Sequence, residues 1–228
     1  MTTQETFMNI LTLDTATDQC SCALSLNGRI LSHSLHAPMR HAELILPMVK
    51  ALLEEAGISL SQIDVIGFGR GPGSFTGVRI AASVTQGLSV AHDIAVAPIS
   101  NLLTLAQGIF IPNQSSAIFT AIDARKHQIY CAGYYADNNE LKPLLAEALL
   151  SPAAVKLPPE FQNGVGIGSG FTIYASELAP TLKILQTIMT KNVSEAKHMI
   201  PLVEHMQRRQ LLVSAESAIP IYLRDKIC

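Results

Sequence analysis

Two stretches of the chain repeat one pattern about a hundred residues apart. The first reads Ile10-Leu-Thr-Leu-Asp14-Thr-Ala-Thr17 and runs into the alternating segment Cys20-Ser-Cys-Ala-Leu-Ser-Leu26. The second reads Ala117-Ile-Phe-Thr-Ala-Ile-Asp123-Ala-Arg125 and runs into Gln128-Ile-Tyr-Cys-Ala-Gly-Tyr-Tyr135. Each is typical of an apolar strand that ends in aspartate, followed by a short turn and a second strand. The repeat predicts two similar subdomains that face each other across a cleft.

A glycine-spaced segment follows in each half of the chain. The segments are Gly67-Phe-Gly69-Arg-Gly71-Pro-Gly73 and Gly164-Val-Gly166-Ile-Gly168-Ser-Gly170. Both precede a helix-like pattern, so we expect each to form a loop that leads into a helix.

The composition limits the classes of function. The chain has 228 residues, of which 48% are hydrophobic, which is enough for one large domain or two small ones. Its net charge of −2 gives no reason to expect strong sequence-independent attraction to nucleic acid, so a role in RNA chemistry would require a partner. No apolar run approaches the roughly 20 residues of a membrane helix, and residues 1–7 lack the features of a signal peptide. We therefore expect a cytoplasmic protein with no membrane contact.

The four cysteines do not resemble a disulfide framework. Cys20 and Cys22 share one face of a predicted strand but lie about 6.6 Å apart along it, which is too far for easy bridging. Cys131 falls in mid-strand and Cys228 ends the chain. We expect small buried hydrophobic residues and one terminal thiol.

The local patterns predict an α/β protein with mixed sheets covered by helices. In the first half, the Asn27-Gly28 pair predicts a hairpin turn, and Gly57 should end the first helix. The expected strands are 9–14, 20–26, 29–36, 64–68 and 94–98, and the expected helices are 39–56, 75–91 and one from about 100.

The second half is expected to repeat strands over 117–122 and 128–135. Residues 142–159 contain four prolines, which favours a loop and a short helix. A short helix near 171–178 and a strand over 182–188 should follow. A helix over 194–212 capped by Ser194, and a last strand over 219–223, should complete the chain.

Common catalytic motifs are missing from the sequence. It contains no P-loop, no Rossmann glycine motif, no hydrolase elbow and no zincin helix. His33 and His36 should point to opposite faces of a strand, and His198 and His205 are about 10.5 Å apart along a helix. Neither pair suits a single metal ion, and we expect no metal site.

Two interpretations stay open for the aspartate turns. Asp14, Thr15 and Thr17 could hold a hydrated magnesium and a phosphate chain, and Asp123 could do the same in the second half. Alternatively, Asp14 caps its own turn through its side chain, and Asp123 simply pairs with Arg125.

The segment Gly69-Arg-Gly-Pro-Gly-Ser-Phe-Thr-Gly77-Val-Arg-Ile80 also has two interpretations. Its glycines and the helix start could present backbone N–H groups to an anion. They could instead allow close packing against another backbone. The segment has no neighbouring lysine to neutralise phosphate, which favours packing.

These motifs carry a family resemblance. The segments 10–17, 69–80 and 121–125, together with His41 and Ile45-Leu-Pro-Met-Val49, closely resemble the TsaB (YeaZ) family of bacterial tRNA threonylcarbamoyladenosine biosynthesis proteins. The resemblance runs from Met8 to Arg224 and is weakest over 136–215, so residues 1–7 look like an extension. It implies the actin-like, Hsp70-like ATPase (ASKHA) fold, with duplicated subdomains over 8–108 and 109–228.

The resemblance also implies partners. Family members act with the catalytic paralogue TsaD, which carries a metal site, and with the ATPase TsaE. The complex attaches a threonylcarbamoyl group to N6 of adenosine 37 in tRNAs that read ANN codons. The metal-binding His-x-x-x-His of the paralogue aligns with Asn101 and Leu105 here, which cannot replace imidazole ligands. We therefore expect a non-catalytic scaffold or activating subunit without cofactor, which meets tRNA only through the complex.

Other functions remain as alternatives. An active ATPase or phosphotransferase of the same fold could use Asp14 and Asp123 around magnesium, whereas a metallopeptidase would need the missing ligands. In the scaffold interpretation, Asp14, Thr15, Thr17 and Asp123 form a degenerate nucleotide cleft.

The resemblance assigns a partner interface to the two predicted helices 39–56 and 75–91. In the family these helices pack against their counterparts in the partner, and a homodimer can use the same surface. We expect Ala82 at its centre; the alternative is that the helices bury these side chains inside the domain. The candidate interface residues are Leu44, Met48, Leu52, Gly73, Val78, Arg79, Ala82 and Leu88.

Overall fold

The computed structural model of the chain describes residues 8–112, 114, 116–137, 139–190 and 194–224. It divides into two compact units. Unit 1 comprises the chain up to Ile99 together with Glu195–Pro220, and unit 2 comprises Ser100–Ser194 and the chain from Ile221 onward. This division differs from the expected boundary at 108, because unit 2 already begins at Ser100 and residues 195–220 return to unit 1. The expected extension over 1–7 lies outside the described residues.

Unit 1 is built around a five-stranded mixed sheet in the order β3-β2-β1-β4-β5. Antiparallel pairing joins β1 to β2 and β2 to β3, and β1 runs parallel to β4. The predicted hairpin is confirmed, since Asn27 and Gly28 have φ angles of 51° and 77°. The strands are β1 (Ile10–Asp14), β2 (Gln19–Leu26), β3 (Arg29–His36), β4 (Val65–Gly71) and β5 (Ala95–Ser100).

Helices α1 (His41–Ala56) and α2 (Phe75–His92) cover this sheet. The apolar stripe of α1, at Ile45, Val49 and Leu52, packs with the side chains of β1 and β2. As predicted, α1 ends at Gly57, which adopts the left-handed conformation with φ of 68°.

Unit 2 repeats the topology of unit 1. Its sheet has the order β10-β9-β6-β7-β8, with β6 antiparallel to β7, β7 antiparallel to β8 and β6 parallel to β9. Strand β6 thus takes the place of β1, and Asp123 that of Asp14, which confirms the predicted repeat. The strands are β6 (Ala117–Asp123), β7 (Ile129–Asp137), β8 (Glu140–Leu150), β9 (Val165–Ile167) and β10 (Thr187–Met189), with helices α3 (Asn101–Gln107), α4 (Gly170–Ile173) and α5 (Ala179–Leu182).

The largest wrong prediction is the loop over 142–159. Residues 140–150 form β8, and Pro143 lies in it opposite Tyr134, where the strand register is irregular. Strand β8 is at the edge of the sheet, where a proline without an N–H group is tolerated. The later prolines start short 3₁₀ helices at Pro152–Ala154 and Pro159–Phe161.

The predictions for the last part of the chain also need correction. In place of one helix over 194–212, a 3₁₀ turn (Ala196–Met199) leads into α6 (Ile200–Arg208), and Ser194 caps neither. Proline at the start of α6 explains the boundary, since it suits the first turn. The expected strands over 182–188 and 219–223 reduce to the three residues of β10 and to irregular structure, respectively.

The predicted glycine loop over 67–73 is a strand for most of its length, since β4 extends to Gly71. A Cβ on Gly67 would lie 2.6 Å from Cγ2 of Val203, so glycine allows α6 to approach the sheet. Among the described residues, no helix has the length and apolar character needed to cross a membrane.

Candidate functional site

The turn after β1 is held by its own side chains. The Ala16 amide donates to Oδ1 of the buried Asp14 at 2.9 Å. Thr15 donates its hydroxyl to the Gly77 carbonyl at 2.7 Å, and Thr17 accepts from the Gln19 amide at 3.1 Å. All three polar side chains predicted for a nucleotide cleft in this unit therefore form hydrogen bonds with the backbone of unit 1. The carboxylate of Asp14 caps its own turn, as one of the two interpretations expected.

The start of α2 packs against the same turn. The Ser74 amide donates to the Ala16 carbonyl at 2.7 Å. A Cβ on Gly73 would approach that carbonyl oxygen to 2.5 Å, and one on Gly77 would overlap the Thr15 carbonyl oxygen. The glycines are thus required for close backbone packing. This geometry supports the packing interpretation over anion binding.

In unit 2, Asp123 ends β6 and forms a network. Its Oδ1 accepts from the Arg125 amide at 2.8 Å and from the Tyr174 hydroxyl at 2.8 Å, and Nε of Arg125 lies 3.5 Å from Oδ2. The hydrogen bond to the carboxylate raises the pKa of Tyr174. Ser169 accepts from the Asp123 amide at 3.0 Å. Pairing of Asp123 with Arg125 is confirmed; Tyr174 was missed, because no sequence pattern connects it to Asp123.

The second glycine segment also serves packing. Gly168, with φ of 121°, and Gly170 lie against the Ala121 carbonyl, where a Cβ on Gly170 would come within 2.9 Å of the oxygen. Glycine is needed at 168 because other residues avoid this φ.

The positions that align with the paralogue's metal ligands do not fit a metal. Asn101 is buried at the start of α3, with Nδ2 3.5 Å from the Ser194 hydroxyl. Leu105 is buried in an apolar cluster with Ile118 and Ile167. Within the described residues, no group of three His, Cys, Asp or Glu side chains is placed to hold a metal ion.

The predicted interface residues divide into two sets. Leu52, Val78, Ala82 and Met48 are 0%, 1%, 3% and 7% exposed, so they lie in the core of unit 1, as the alternative interpretation expected. The reason is that α1 and α2 use these residues to cover the sheet. Leu44 and Leu88 pack partly against the same core, Gly73 packs against the turn after β1, and Arg79 is exposed.

A different set of side chains forms the surface of these helices. A groove of about 340 Å³ is lined by Ala42 of α1 and by residues of α2 between Phe75 and Val84. On the same two helices, Leu46, Phe75 and Val90 are 49%, 62% and 71% exposed. The Arg79 guanidinium lies 3.3 Å from the centre of the Phe75 ring. We call this surface the α1–α2 face. Its residues are Ala42, Leu46, Phe75, Thr76, Arg79, Ile80, Ser83, Val84, Gly87 and Val90.

Sequence reasoning found only Arg79 of this face. The signal was present in α2, where Thr76, Ile80, Ser83, Gly87 and Val90 recur every three or four residues. This series was missed because the sequence analysis did not distinguish it from the neighbouring apolar residues of α2 that are buried.

Comparisons with known proteins found similar sequences. The family model for TsaD, tRNA N6-adenosine threonylcarbamoyltransferase, matches residues 33–226. The tRNA threonylcarbamoyladenosine biosynthesis protein TsaB of Escherichia coli (strain K12) is 35% identical, with 96% of each chain covered. TsaB of Haemophilus influenzae (strain ATCC 51907 / DSM 11121 / KW20 / Rd) is 33% identical over 96% of this chain and 95% of its own.

A solved structure extends the similarity to the fold. YeaZ from Pseudomonas aeruginosa is 36% identical and superposes with a TM-score of 0.84, covering 95% of this chain and all of its own. Sequence identity, coverage and the repeated sheet topology agree, and the chain belongs to the TsaB (YeaZ) family, with the actin-like ASKHA fold.

Proposed function

We propose that the chain is a non-catalytic subunit in the biosynthesis of tRNA threonylcarbamoyladenosine. It acts with a TsaD-type catalytic paralogue and a TsaE-type ATPase, and the complex transfers a threonylcarbamoyl group to N6 of adenosine 37 in tRNAs that read ANN codons. Membership of the TsaB family supports the pathway. The strand-end turns and the α1–α2 face support the assignment as a non-catalytic subunit.

The chemistry of the strand-end turns favours an accessory subunit over an ATPase. An ATPase of this fold needs a carboxylate and hydroxyls free to meet magnesium and phosphate. Here Thr15 donates its hydroxyl to the Gly77 carbonyl, and the glycines of α2 pack against the backbone of the turn. The positions of the paralogue's metal ligands hold Asn101 and Leu105. These features favour an accessory subunit over the ATPase and metallopeptidase alternatives.

The α1–α2 face is the observation that carries the proposal. Phe75 and Val90 leave large apolar surfaces in water on α2, and the groove between α1 and α2 is lined in part by the small residues Ala42 and Ser83. Small side chains allow a helix of a partner to approach closely, and burial of the apolar side chains would supply the free energy of association. The TsaD-type paralogue is the proposed occupant, and a second copy of this chain takes the face when the paralogue is absent.

Ser83→Glu tests this assignment. Ser83 is exposed in the groove, so the variant should fold normally while it places a carboxylate in the desolvated centre of the contact. Ser151→Glu is the matched control, because Ser151 is exposed in unit 2 and its side chain caps no helix. Each variant would be co-purified with the TsaD-type paralogue of the same genome.

We expect Ser83→Glu to weaken the complex at least tenfold, equivalent to about 1.4 kcal/mol, and to lower modified adenosine in tRNA measured by mass spectrometry. Ser151→Glu should behave as the parent chain. Unchanged affinity of Ser83→Glu would show that the face is not the interface. ATP hydrolysis by the isolated chain at about 1 s⁻¹ or faster would instead support the ATPase alternative.

A further inference from the structure

The turn between β6 and β7 carries an unusual concentration of positive charge. Arg125, Lys126 and His127 form the only run of three basic residues in a sequence whose net charge is −2. All three are exposed, and the Arg125 side chain keeps 85% of its surface in water. Neither the aspartate network nor the proposed interface uses Lys126, whereas the His127 ring contacts the Tyr174 ring with 5.9 Å between their centroids.

The backbone of this turn is strained. The φ angles of Arg125, Lys126 and His127 are 62°, 53° and 56°, in the left-handed region that L-residues other than glycine and asparagine avoid. The Gln128 amide donates to the Arg125 carbonyl at 3.1 Å, so Lys126 and His127 are the central residues of a tight turn. Strain of this kind tends to be kept where side chains have a function.

Another turn of the same chain adopts this backbone conformation with residues that favour it. The β2–β3 turn has the same left-handed φ at both central positions, but it uses Asn27 and Gly28. Asparagine and glycine adopt this conformation at lower cost than lysine and histidine. The contact with Tyr174 gives His127 a structural role, but among the described residues no contact of this kind explains the choice of Lys126.

The base of the turn is fixed, and its tip remains positive. Arg224 donates from its guanidinium to the Ala124 carbonyl at 2.7 Å, which adds a further cation beside the turn. Two acidic groups are close. Asp123 is engaged by Tyr174 and Arg125, and Glu177 interacts electrostatically with His127. The two carboxylates carry two negative charges, whereas Arg125, Lys126 and Arg224 carry three positive charges, so a net positive charge remains at the turn.

We propose that the β6–β7 turn binds phosphate groups of the tRNA backbone, an inference that rests on the proposed function. Exposed lysine and arginine side chains are the usual contacts to nucleic-acid phosphates, and they position the substrate without reading its sequence. A nucleotide site, in contrast, is a concavity that buries most of its ligand. An exposed hairpin tip therefore suits a long polyanion better than a small phosphate compound.

The test uses the complex of this chain with its TsaD-type paralogue and an unmodified tRNA transcript. The variant Lys126→Asn/His127→Gly gives this turn the central residues of the β2–β3 turn. Lys126→Glu reverses the charge and keeps a non-glycine residue at the strained position. Lys156→Glu is the matched control, because Lys156 is exposed elsewhere in unit 2.

We expect opposite effects on stability and binding in the first variant. Its melting temperature should equal or exceed that of the parent chain, because the turn is relaxed. Its tRNA affinity should fall by up to about tenfold at 0.1 M salt, and the slope of log K against log salt should decrease by about 0.7–0.9. Lys126→Glu should weaken binding at least as much, and Lys156→Glu should not.

Unchanged tRNA affinity and salt slope in both Lys126 variants, with the complex intact, would overturn the inference and leave the proposed function standing. A parent complex that fails to assemble or to modify tRNA would count against the proposed function instead. Weaker binding of ATP, with tRNA affinity unchanged, would assign the turn to a nucleotide and would also overturn the inference.

Discussion

The carboxylates of Asp14 and Asp123 end the central strands of the two sheets, and each accepts from the backbone amide two residues later. Their surroundings then diverge. Thr15 follows Asp14 and is buried against α2, whereas Arg125, two residues after Asp123, is exposed. The turn after β1 therefore packs against α2, whereas the turn after β6 exposes a charged side chain to solvent.

Substitution by glutamate should lower the free energy of unfolding strongly at Ala82 and very little at the neighbouring Ser83. Ala82 packs with Phe68 and Val96 in the core, so Ala82→Glu would bury a carboxylate and lower the free energy of unfolding by about 3 kcal/mol or more. Ser83→Glu should change it by less than about 0.5 kcal/mol, because Ser83 is exposed. Urea unfolding followed by circular dichroism measures both. A parent-like midpoint for Ala82→Glu would contradict the burial of this residue.

The buried cysteines should be unreactive in the folded protein. Burial raises the pKa of the Cys20, Cys22 and Cys131 thiols to about 11, 12 and 11. At pH 8 only about one molecule in a thousand carries the thiolate at Cys20 or Cys131, and fewer do at Cys22.

Thiol labelling of Cys228→Ser with a disulfide reagent tests this expectation. The variant removes Cys228, which is outside the described residues, and leaves the three buried cysteines. We expect no rapid labelling of the native variant and three reacting thiols in denaturant. Rapid labelling of the native variant would mean that at least one of these cysteines is accessible.

At the scale of elements, α2 contains two glycines with different roles. A Cβ on Gly77 would overlap the Thr15 carbonyl oxygen, which is backbone and cannot move aside easily, whereas a Cβ on Gly87 meets nothing within 4 Å. Gly77→Ala should therefore lower the free energy of unfolding by several kcal/mol. Gly87→Ala should raise it by up to about 1 kcal/mol, because alanine favours the helix. Equal effects of the two substitutions in thermal unfolding would show that α2 does not start against the turn.

The elements of unit 1 were largely predictable because their signals are local. Alternation of apolar residues and the Asn27-Gly28 pair define the β2–β3 hairpin, and Gly57 ends α1. Strand β8 was not predictable in this way, because Pro143 signals a break unless the strand is known to lie at a sheet edge. The start of α6 similarly depends on the proline after Ile200, which outweighed the capping signal of Ser194.

The site was predictable only in part, for a related reason. Asp14 and Asp123 stand out because each ends an apolar strand. Gly77, which accepts from Thr15, and Tyr174, which donates to Asp123, lie 62 and 51 residues away from these partners, so only the fold brings them together. The expected interface centred on Ala82, which is buried, whereas the proposed α1–α2 face contains its exposed neighbour Ser83. Helical periodicity alone does not say which stripe of a helix faces the sheet.

At the scale of the whole molecule, the proposed function gives the α1–α2 face two competing occupants. The isolated chain should form a homodimer through this face, because Phe75 and Val90 would otherwise remain in water. If the paralogue binds the same surface, its addition must dissociate the homodimer, since one face cannot hold both.

Sedimentation velocity of the isolated chain and of mixtures with the paralogue measures this competition. We expect the homodimer boundary to disappear as the paralogue is added, and Ser83→Glu to sediment as a monomer that does not join the complex. Ser151→Glu serves as the control, because it adds the same charge at an exposed position of unit 2 that lies outside the α1–α2 face. Persistence of the homodimer within the complex would mean that the two contacts use different surfaces, and the assignment of the α1–α2 face to the paralogue would then be wrong.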